Sequence, residues 1–392
     1  MRSLLPLLHR WFGLFMAVFL FVSGLTGAII SWDHELDEAL NPSMYKASWE
    51  GETATALMLA NQLEAQAPNT VVTFLPLVIE QGHALNLFVK ERSADTALDY
   101  NQIALNPGTG EVQASRMWGA VSLSRENLLP FLYKLHYSMH LPDIGGLETG
   151  VLLMGIVGIV WVLDCLVVLW ISFPARRSWR KSFAFRFKSG GYKLNFDLHR
   201  SGGVWLWFFM LILAITSVSM NLGFQVVRPL VNSVSPLTPS PFETAPFSEY
   251  STPLYSREQI LERALAEIEE RELDLSSPLG GIFFARDYNV YGVGFFEGGN
   301  SHGDGGLGNP WFYFSGEDGR YLGASLPGEG SAGDIFMQAQ FPLHSGRILG
   351  VTGRVIVSFL GLMVAVFSVT GVIIWMRKRR ARAAQSLRAE CA

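Results

Sequence analysis

Cysteine is nearly absent from this chain: Cys165 and Cys391 are the only two in 392 residues. One lies in an apolar run and the other at the far tail, so a structural disulfide between them is not expected. No CxxCH is present, which excludes covalently attached c-type haem. No CxxC pair or histidine–cysteine cluster points to zinc or an iron–sulfur centre. Charge is also scarce. Asp, Glu, Lys and Arg make up 16% of the residues, against about a quarter in ordinary soluble domains. With a net charge of −4 the chain has no basic footprint for nucleic acid. Hydrophobic residues reach 49% and the mean hydropathy is +0.25. These values argue against a plain cytosolic enzyme and against a disordered or fibrous chain.

Long apolar runs are what the chain has instead. A bilayer core of about 30 Å takes about 20 helical residues. Trp11–Trp32, Ser201–Val227 and Val355–Met376 carry no charge, and Thr149–Phe173 carries one acid, Asp164. The fold class expected is an α-helical integral membrane protein, a four-helix transmembrane bundle with two α+β units outside it. The length and tryptophans of the first run favour a retained anchor over a cleaved signal peptide.

Lys and Arg orient such a chain. Segment 174–200 holds Arg176, Arg177, Arg180, Lys181, Arg186, Lys188, Lys193 and Arg200, and tail 377–392 is equally basic. Segment 33–148 has 15 acids against 6 bases, and 228–343 has 16 against 6. The expected order is transmembrane helix 1–32, outer unit 33–148, transmembrane helix 149–173, basic cytoplasmic loop 174–200, transmembrane helix 201–227, outer unit 228–343, transmembrane helix 344–376 and basic cytoplasmic tail 377–392. Both termini then lie in the cytoplasm of a bacterium and the large loops in its periplasm, the inner membrane between them.

The outer segments read as a duplication. In the first, a helix over Thr53–Ala67 precedes strands at Thr70–Leu75, Leu85–Val89, Asn101–Leu105 and Glu111–Ser115. In the second, Ser256 caps a helix over Glu258–Arg271, and strands follow at Ile282–Ala285, Tyr288–Phe296, Trp311–Ser315 and Tyr321–Ser325. Equal lengths and equal element order point to a repeated unit plus span. The loop Gly298–Asn309 reads as a flexible hairpin tip, with a lid or a weak cation site as alternatives.

Four of the eight histidines follow a leucine, at Leu8-His9, Leu135-His136, Leu198-His199 and Leu343-His344, and each pair precedes one span. His9 and His199 fall at the cytoplasmic ends of their helices, His136 and His344 on the outer side. A single histidine at a helix end is more often an interfacial residue. Four in this arrangement suit b-type haem, whose iron takes one imidazole on each face of the macrocycle, and a four-helix bundle can offer both from facing helices. The expected cofactors are two haem b, one held by His9 and His199, the other by His136 and His344. His140, four residues after His136 and on the same helical face, is an alternative ligand or a substrate contact. His34, His83 and His302 read as solvated surface.

Arg10, Arg200, Arg347 and Arg354 follow these histidines closely and suit the haem propionates. Glycines such as Gly13, Gly27 and Gly203 would admit a flat macrocycle, although small residues serve plain helix packing equally. Asp164 is the one acid inside a span. It could orient a histidine through the second ring nitrogen, relay a proton, or pack in protonated form. Tyr137, Met337, Gln338, Gln340 and Phe341 are candidates for a substrate surface, on sequence proximity to the outer ligands alone. No catalytic side chain is expected beyond the haems.

Several stretches carry a family resemblance: LHRWFGL at the start, SGLTGAIISW followed by DHELDEALNP, LHYSMHL, and LHSGRILG followed by SVTGVIIW. Together they resemble the PepSY-associated transmembrane family over essentially the whole chain. Within it the chain looks most like di-haem ferric siderophore reductases of the FoxB type. That resemblance implies a haem-dependent oxidoreductase passing electrons from a cytoplasmic reductant or a membrane quinol to a periplasmic ferric siderophore. Fe(III) sits tightly in hard oxygen donors and Fe(II) less so, so one electron releases the iron. Another periplasmic acceptor such as Cu(II) is a rival reading, as is a non-enzymatic sensor or peptidase-regulating protein. A permease fits four spans less well.

Overall fold

The computed structural model describes residues 4–51, 53–94, 96–173, 176, 179–273, 275 and 277–390. Arg177 and Cys391 fall outside the described residues. The first half of the chain runs through helix α1 (Leu4–Ile30), helix α2 (Ala56–Gln66) and strands β1 (Thr70–Pro76), β2 (Leu85–Glu91), β3 (Gln102–Leu105) and β4 (Val112–Arg116). Helices α3 (Leu128–Ser138) and α4 (Thr149–Ser172) complete it. The second half repeats the order, with helices α5 (Gly191–Leu222) and α6 (Arg257–Glu270), then strands β5 (Leu279–Ala285), β6 (Val290–Phe295), β7 (Trp311–Ser315) and β8 (Tyr321–Ser325). Helices α7 (Ala332–Ser345) and α8 (Gly350–Glu390) end it.

These elements form two compact units. One draws on residues within 1–32, 132–230 and 343–392, the other on 33–131 and 231–342. Residues 132–148, expected with the outer segment, thus belong with the helices.

Among the described residues, the helical unit contains four helices long and apolar enough to cross a membrane. In it α1 packs on α8 and α4, and α5 packs on α4 and α8. This order sets α1 diagonally opposite α5. Gly24 and Gly361 let α1 and α8 touch: a Cβ at Gly24 would meet the Gly361 carbonyl oxygen at 2.5 Å, and one at Gly361 the Gly24 oxygen at 2.6 Å. Such contact of small residues is how helices associate where lipid removes the hydrophobic drive. Between α5 and α4, Trp207 Nε1 donates to the Cys165 carbonyl at 2.8 Å. Met210, Leu213, Ala214, Leu360 and Val364 fill the space beside it. α5 begins ten residues before the expected boundary at Ser201, so His199 sits within the helix. It continues through a π turn at Gly223–Val227 to Asn232. α8 runs helical through the basic tail.

The second unit holds a single antiparallel sheet of eight strands in the order β4-β3-β2-β1-β5-β6-β7-β8. The two outer segments therefore join, through the central β1–β5 pair in the register Phe74↔Phe283, Leu75↔Ile282 and Pro76↔Gly281. Each half mirrors the other in strand order. Ser256 caps α6 with a capping box to Gln259, and Thr55 caps α2. Both helices bury one stripe on the sheet, Leu59 and Leu63 from α2, Ile260 and Ala264 from α6, against Leu75, Leu87, Ile103, Val293 and Phe312. The Arg257 guanidinium pairs with Glu64, whose carboxylate also accepts from Val72 N at 2.7 Å, and with Lys90–Asp287 and Arg286–Glu91 this ion pair ties the halves together.

Candidate functional site

His9 lies in the second turn of α1 and His199 in the third turn of α5, on the two diagonally opposed helices. Their ring centroids are 6.0 Å apart and their planes 43° inclined. His136 near the end of α3 and His344 near the end of α7 form a second pair, also with centroids 6.0 Å apart, at 61°. The second pair sits by the far end of α1: His136 touches Thr26, about 25 Å along the helix axis from His9 at 1.5 Å per residue. Two imidazoles bonded to one metal at about 2.0 Å through their nitrogens have centroids about 6 Å apart.

The hydrogen bonds fix which ring nitrogen is free. His9 Nδ1 lies 2.9 Å from Asp164 Oδ1 and 3.1 Å from Oδ2. His136 Nδ1 meets Thr26 Oγ1 at 3.1 Å and the Ser23 carbonyl at 3.0 Å. His199 Nδ1 meets Thr370 Oγ1 and the Phe367 carbonyl, each at 3.1 Å. His344 Nδ1 meets Thr216 Oγ1 at 3.0 Å. In each threonine the one hydroxyl proton goes to the carbonyl four residues back: Thr26 to Val22 at 2.8 Å, Thr216 to Ile212 at 2.9 Å, Thr370 to Val366 at 2.7 Å. Those hydroxyls are then acceptors toward the imidazoles. The carboxylate at His9 and the carbonyls at His136 and His199 assign the ring proton to Nδ1, and Thr216 acting as an acceptor assigns it likewise in His344, which leaves each Nε2 with a lone pair. None of the four Nε2 atoms has a hydrogen-bond partner among the described residues. Burial pushes the His136 imidazole down to about 4, which holds it neutral at pH 7, the form that ligates metal.

Glycines seat two of the rings. A Cβ at Gly27 would meet His136 Cε1, and one at Gly371 would meet His199 Cε1, each at 2.9 Å. Around the first pair lies a cavity of about 790 Å³, lined among others by His9, His199, Asp164, Arg10 and Arg200. Cofactor cavities run from about 300 to 1,000 Å³. Gly13 and Gly203 line it too, and a Cβ at either would meet nothing within 4 Å. Arg10 Nε is buried there without a partner. Among the described residues no group of three or more His, Cys, Asp or Glu could hold a metal ion. A bare cation wants four or more protein or water ligands. Two imidazoles facing each other beside an open cavity fit a metal that would bring its other ligands with it, as haem iron would.

The remaining sequence candidates divide. Arg200 donates to Ser182 Oγ at 2.7 Å. Arg354 is buried: its Nε donates to the Ser31 carbonyl at 2.7 Å, and its guanidinium lies 4.4 Å from the Trp32 ring centroid. Arg347 opens the short 3-10 turn between α7 and α8. The expectation that His140 shares a helical face with His136 is corrected. α3 ends at Ser138, and Met139 and His140 have φ of 53° and 52°, which carries His140 off that face. Gln340 is corrected as a surface residue, being only 2% exposed. Gln338 is engaged in holding the backbone at Leu326, Gly328 and Glu329. Tyr137 stacks edge-on against Tyr133, Phe341 lies parallel to His302, and Met337 is half-buried. The Gly298–Asn309 loop is folded on Asn300, which takes Asp304 N on its side chain and the Asn309 amide on its carbonyl.

The family model for the PepSY-associated TM region matches residues 7–378. The chain belongs to that family. It is a membrane protein of the PepSY-associated TM type, four apolar helices accompanied by a separate antiparallel sheet unit. No curated protein matches the chain. Sequence reasoning missed the threonines that hold three of the rings, and Gly371; it named Gly27, but as room for the macrocycle rather than as the seat of a ring. The signal for half of this was present in this PepSY-family chain. The Thr-Gly pair Thr26-Gly27 in α1 recurs as Thr370-Gly371 in α8, each with a serine a few residues before it.

Proposed function

We propose that the chain is a haem b-dependent oxidoreductase of a bacterial inner membrane, which delivers electrons to a ferric siderophore on the periplasmic side. The observation that carries this reading is the set of four imidazoles, each proton pinned at Nδ1 by acceptors and each Nε2 left bare, in two pairs 6.0 Å apart. His9 and His199 would hold one haem and His136 and His344 the other. When bound, each haem b supplies a one-electron carrier.

The chain's own residues do the rest. The threonines and Asp164 lock ring orientation, so the ligands need no rearrangement when the iron changes charge. Arg10 and Arg200 at the first cavity offer guanidinium to the two propionates. The four apolar helices keep water from the path between the pairs. A one-electron reductant at the basic end would serve one ferric chelate; a membrane quinol would give up two electrons and two protons and serve two chelates in turn. Each ferric chelate accepts one electron, Fe(III) becomes Fe(II), and the hard-oxygen donors loosen. The Lys and Arg of 179–200 and 377–388 support a cytoplasmic position for that end.

The test is direct. Protein reduced with dithionite, freed of excess reductant, is mixed anaerobically with a ferric siderophore and a ferrous trap. Loss of the reduced haem bands with matching appearance of trapped Fe(II) is expected. Haems that stay reduced across hydroxamate and catecholate chelates would remove the siderophore from the reading, and reoxidation by Cu(II) alone would substitute that acceptor.

A further inference from the structure

The two halves of the chain repeat, and the repeat extends to the atoms behind the histidines. His9 in α1 corresponds to His199 in α5, and His136 in α3 to His344 in α7. Thr26 in α1, behind His136, corresponds to Thr216 in α5, behind His344. Behind His199 stands Thr370 of α8, and the corresponding place in α4, behind His9, holds Asp164. Three of the four Nδ1–H groups thus give their hydrogen bond to a neutral hydroxyl oxygen, two of these with a backbone carbonyl beside it. Only His9 gives it to a carboxyl group, with both oxygens within 3.1 Å. Asp164 is buried, 7% exposed, and beside it in α4 lies buried Cys165. No Lys or Arg is paired with it among the described salt bridges; its one partner there is His9.

Burying a carboxyl group in an apolar span is costly, and a threonine would hold the ring as well. The difference between the two is electronic. A carboxyl acceptor on Nδ1–H draws the ring proton outward and makes Nε2 a stronger donor, whereas a hydroxyl does so weakly. A stronger donor favours the ferric over the ferrous state of the iron it binds. We infer that Asp164 is a positioning residue that lowers the reduction potential of the His9–His199 haem below that of the His136–His344 haem, and so gives electron flow its direction from the basic end of the bundle to the other. With both haems bound, a transfer between the pairs would move one electron, so that the iron held by His9 and His199 would be oxidised by one unit as the iron held by His136 and His344 is reduced by one. No proton need move, because Nδ1–H and its acceptor stay paired on both sides of the step. This inference rests on the di-haem reading above.

The experiment is a spectroelectrochemical titration of the purified, haem-loaded full chain and four variants, with haem content measured on each sample. In the wild type, two one-electron couples are expected, with the lower assigned to His9–His199 by its loss in His9→Ala. Asp164→Thr should retain two haems and raise the lower couple by at least 59 mV, a tenfold change in electron sharing for a one-electron couple. Thr216→Asp, which places a carboxyl group behind His344, should lower the other couple by a similar factor and close the gap. Thr370→Asp, a second carboxyl group on the first haem, should widen it. If Asp164→Thr binds a single haem, Thr216→Asp carries the test alone. Two haems with unmoved couples in both Asp164→Thr and Thr216→Asp would overturn the role of Asp164 and leave the di-haem reading intact. A wild-type protein with no haem would instead remove the reading on which it rests.

Discussion

Gly371 of α8 lies against the imidazole of His199, close enough that a Cβ there would meet Cε1 at 2.9 Å. Gly27 stands in the same relation to His136. A methyl group at either place would push aside a ring whose orientation is set by its Nδ1 hydrogen bonds. Gly371→Ala is expected to lose the haem of the first pair while keeping the second, and Gly27→Ala the reverse. Pyridine haemochrome assay on each variant should read about half the wild-type haem, one of two. Undiminished haem in both variants would show that neither glycine seats a ligand.

The threonine acceptors make a graded prediction. Thr26→Val removes the oxygen behind His136 but leaves the Ser23 carbonyl, whereas Thr216→Val removes the one hydrogen-bond partner that His344 Nδ1 has among the described residues. Loss of such a partner weakens metal binding by roughly 10–100-fold. Haem retention on competition with apo-myoglobin should fall further in Thr216→Val than in Thr26→Val. Equal retention in both would detach the threonines from the site.

His140 gives a discriminating control. Because α3 stops at Ser138, His140→Ala should keep both haems, while His136→Ala should keep one. The opposite result would move the ligand to His140.

How much of this was legible in the sequence depends on how local the determinant is. The four spans follow from runs of apolar residues longer than any core helix needs, and β7 and β8 coincide with Trp311–Ser315 and Tyr321–Ser325 because a turn at Gly316–Gly319 bounds both. The start of α5 was hidden, since Tyr192, Lys193, Asn195 and Asp197 interrupt the apolar pattern that marks a span. There Asp197 is buried and its carboxylate takes the Arg186 guanidinium and backbone N–H. The pairing of β1 with β5 joins residues about two hundred positions apart, and no local pattern encodes it. At the site, the histidines stood out by their Leu-His repeat. The threonines did not, because a threonine bonding its own helix carbonyl is common in a span, and its second role needs the neighbouring helix to be seen.

The sheet unit has its own buried charge. Arg116 and Asp37 pair through Nη2 and Oδ2 at 2.6 Å, with side chains 2% and 5% exposed, and Tyr45 donates its hydroxyl to the same carboxylate at 2.6 Å. Asp37→Ala leaves the guanidinium buried and uncompensated, which costs about 3–5 kcal/mol. Faster amide exchange in β3 and β4 is expected, with haem content unchanged. Exchange as slow as in the wild type would mean that the pair adds nothing to the sheet.

Asp334 supplies a pH signature outside the membrane spans. Burial raises its carboxyl pKa, but hydrogen bonds from Ser331 and Thr238 outweigh it, and the net direction is downward. The sign follows from linkage: a group with a lowered folded pKa stabilises above its unfolded value and loses that contribution as pH falls through the folded one. The melting temperature of Asp334→Ala should lie below that of the wild type at pH 7, and the difference should shrink below about pH 4. A difference constant from pH 7 to pH 3 would assign the effect to packing rather than to charge.

The central claim is that imidazoles from opposed helices hold two haems in one chain. Reduced-minus-oxidised spectra with quantitative haem analysis, on full-length protein purified from cells supplied with haem, test it most directly. Two haem b per chain with low-spin bis-imidazole bands are expected, falling to one in any of His9→Ala, His199→Ala, His136→Ala or His344→Ala. A folded, monodisperse preparation without a Soret band would contradict it.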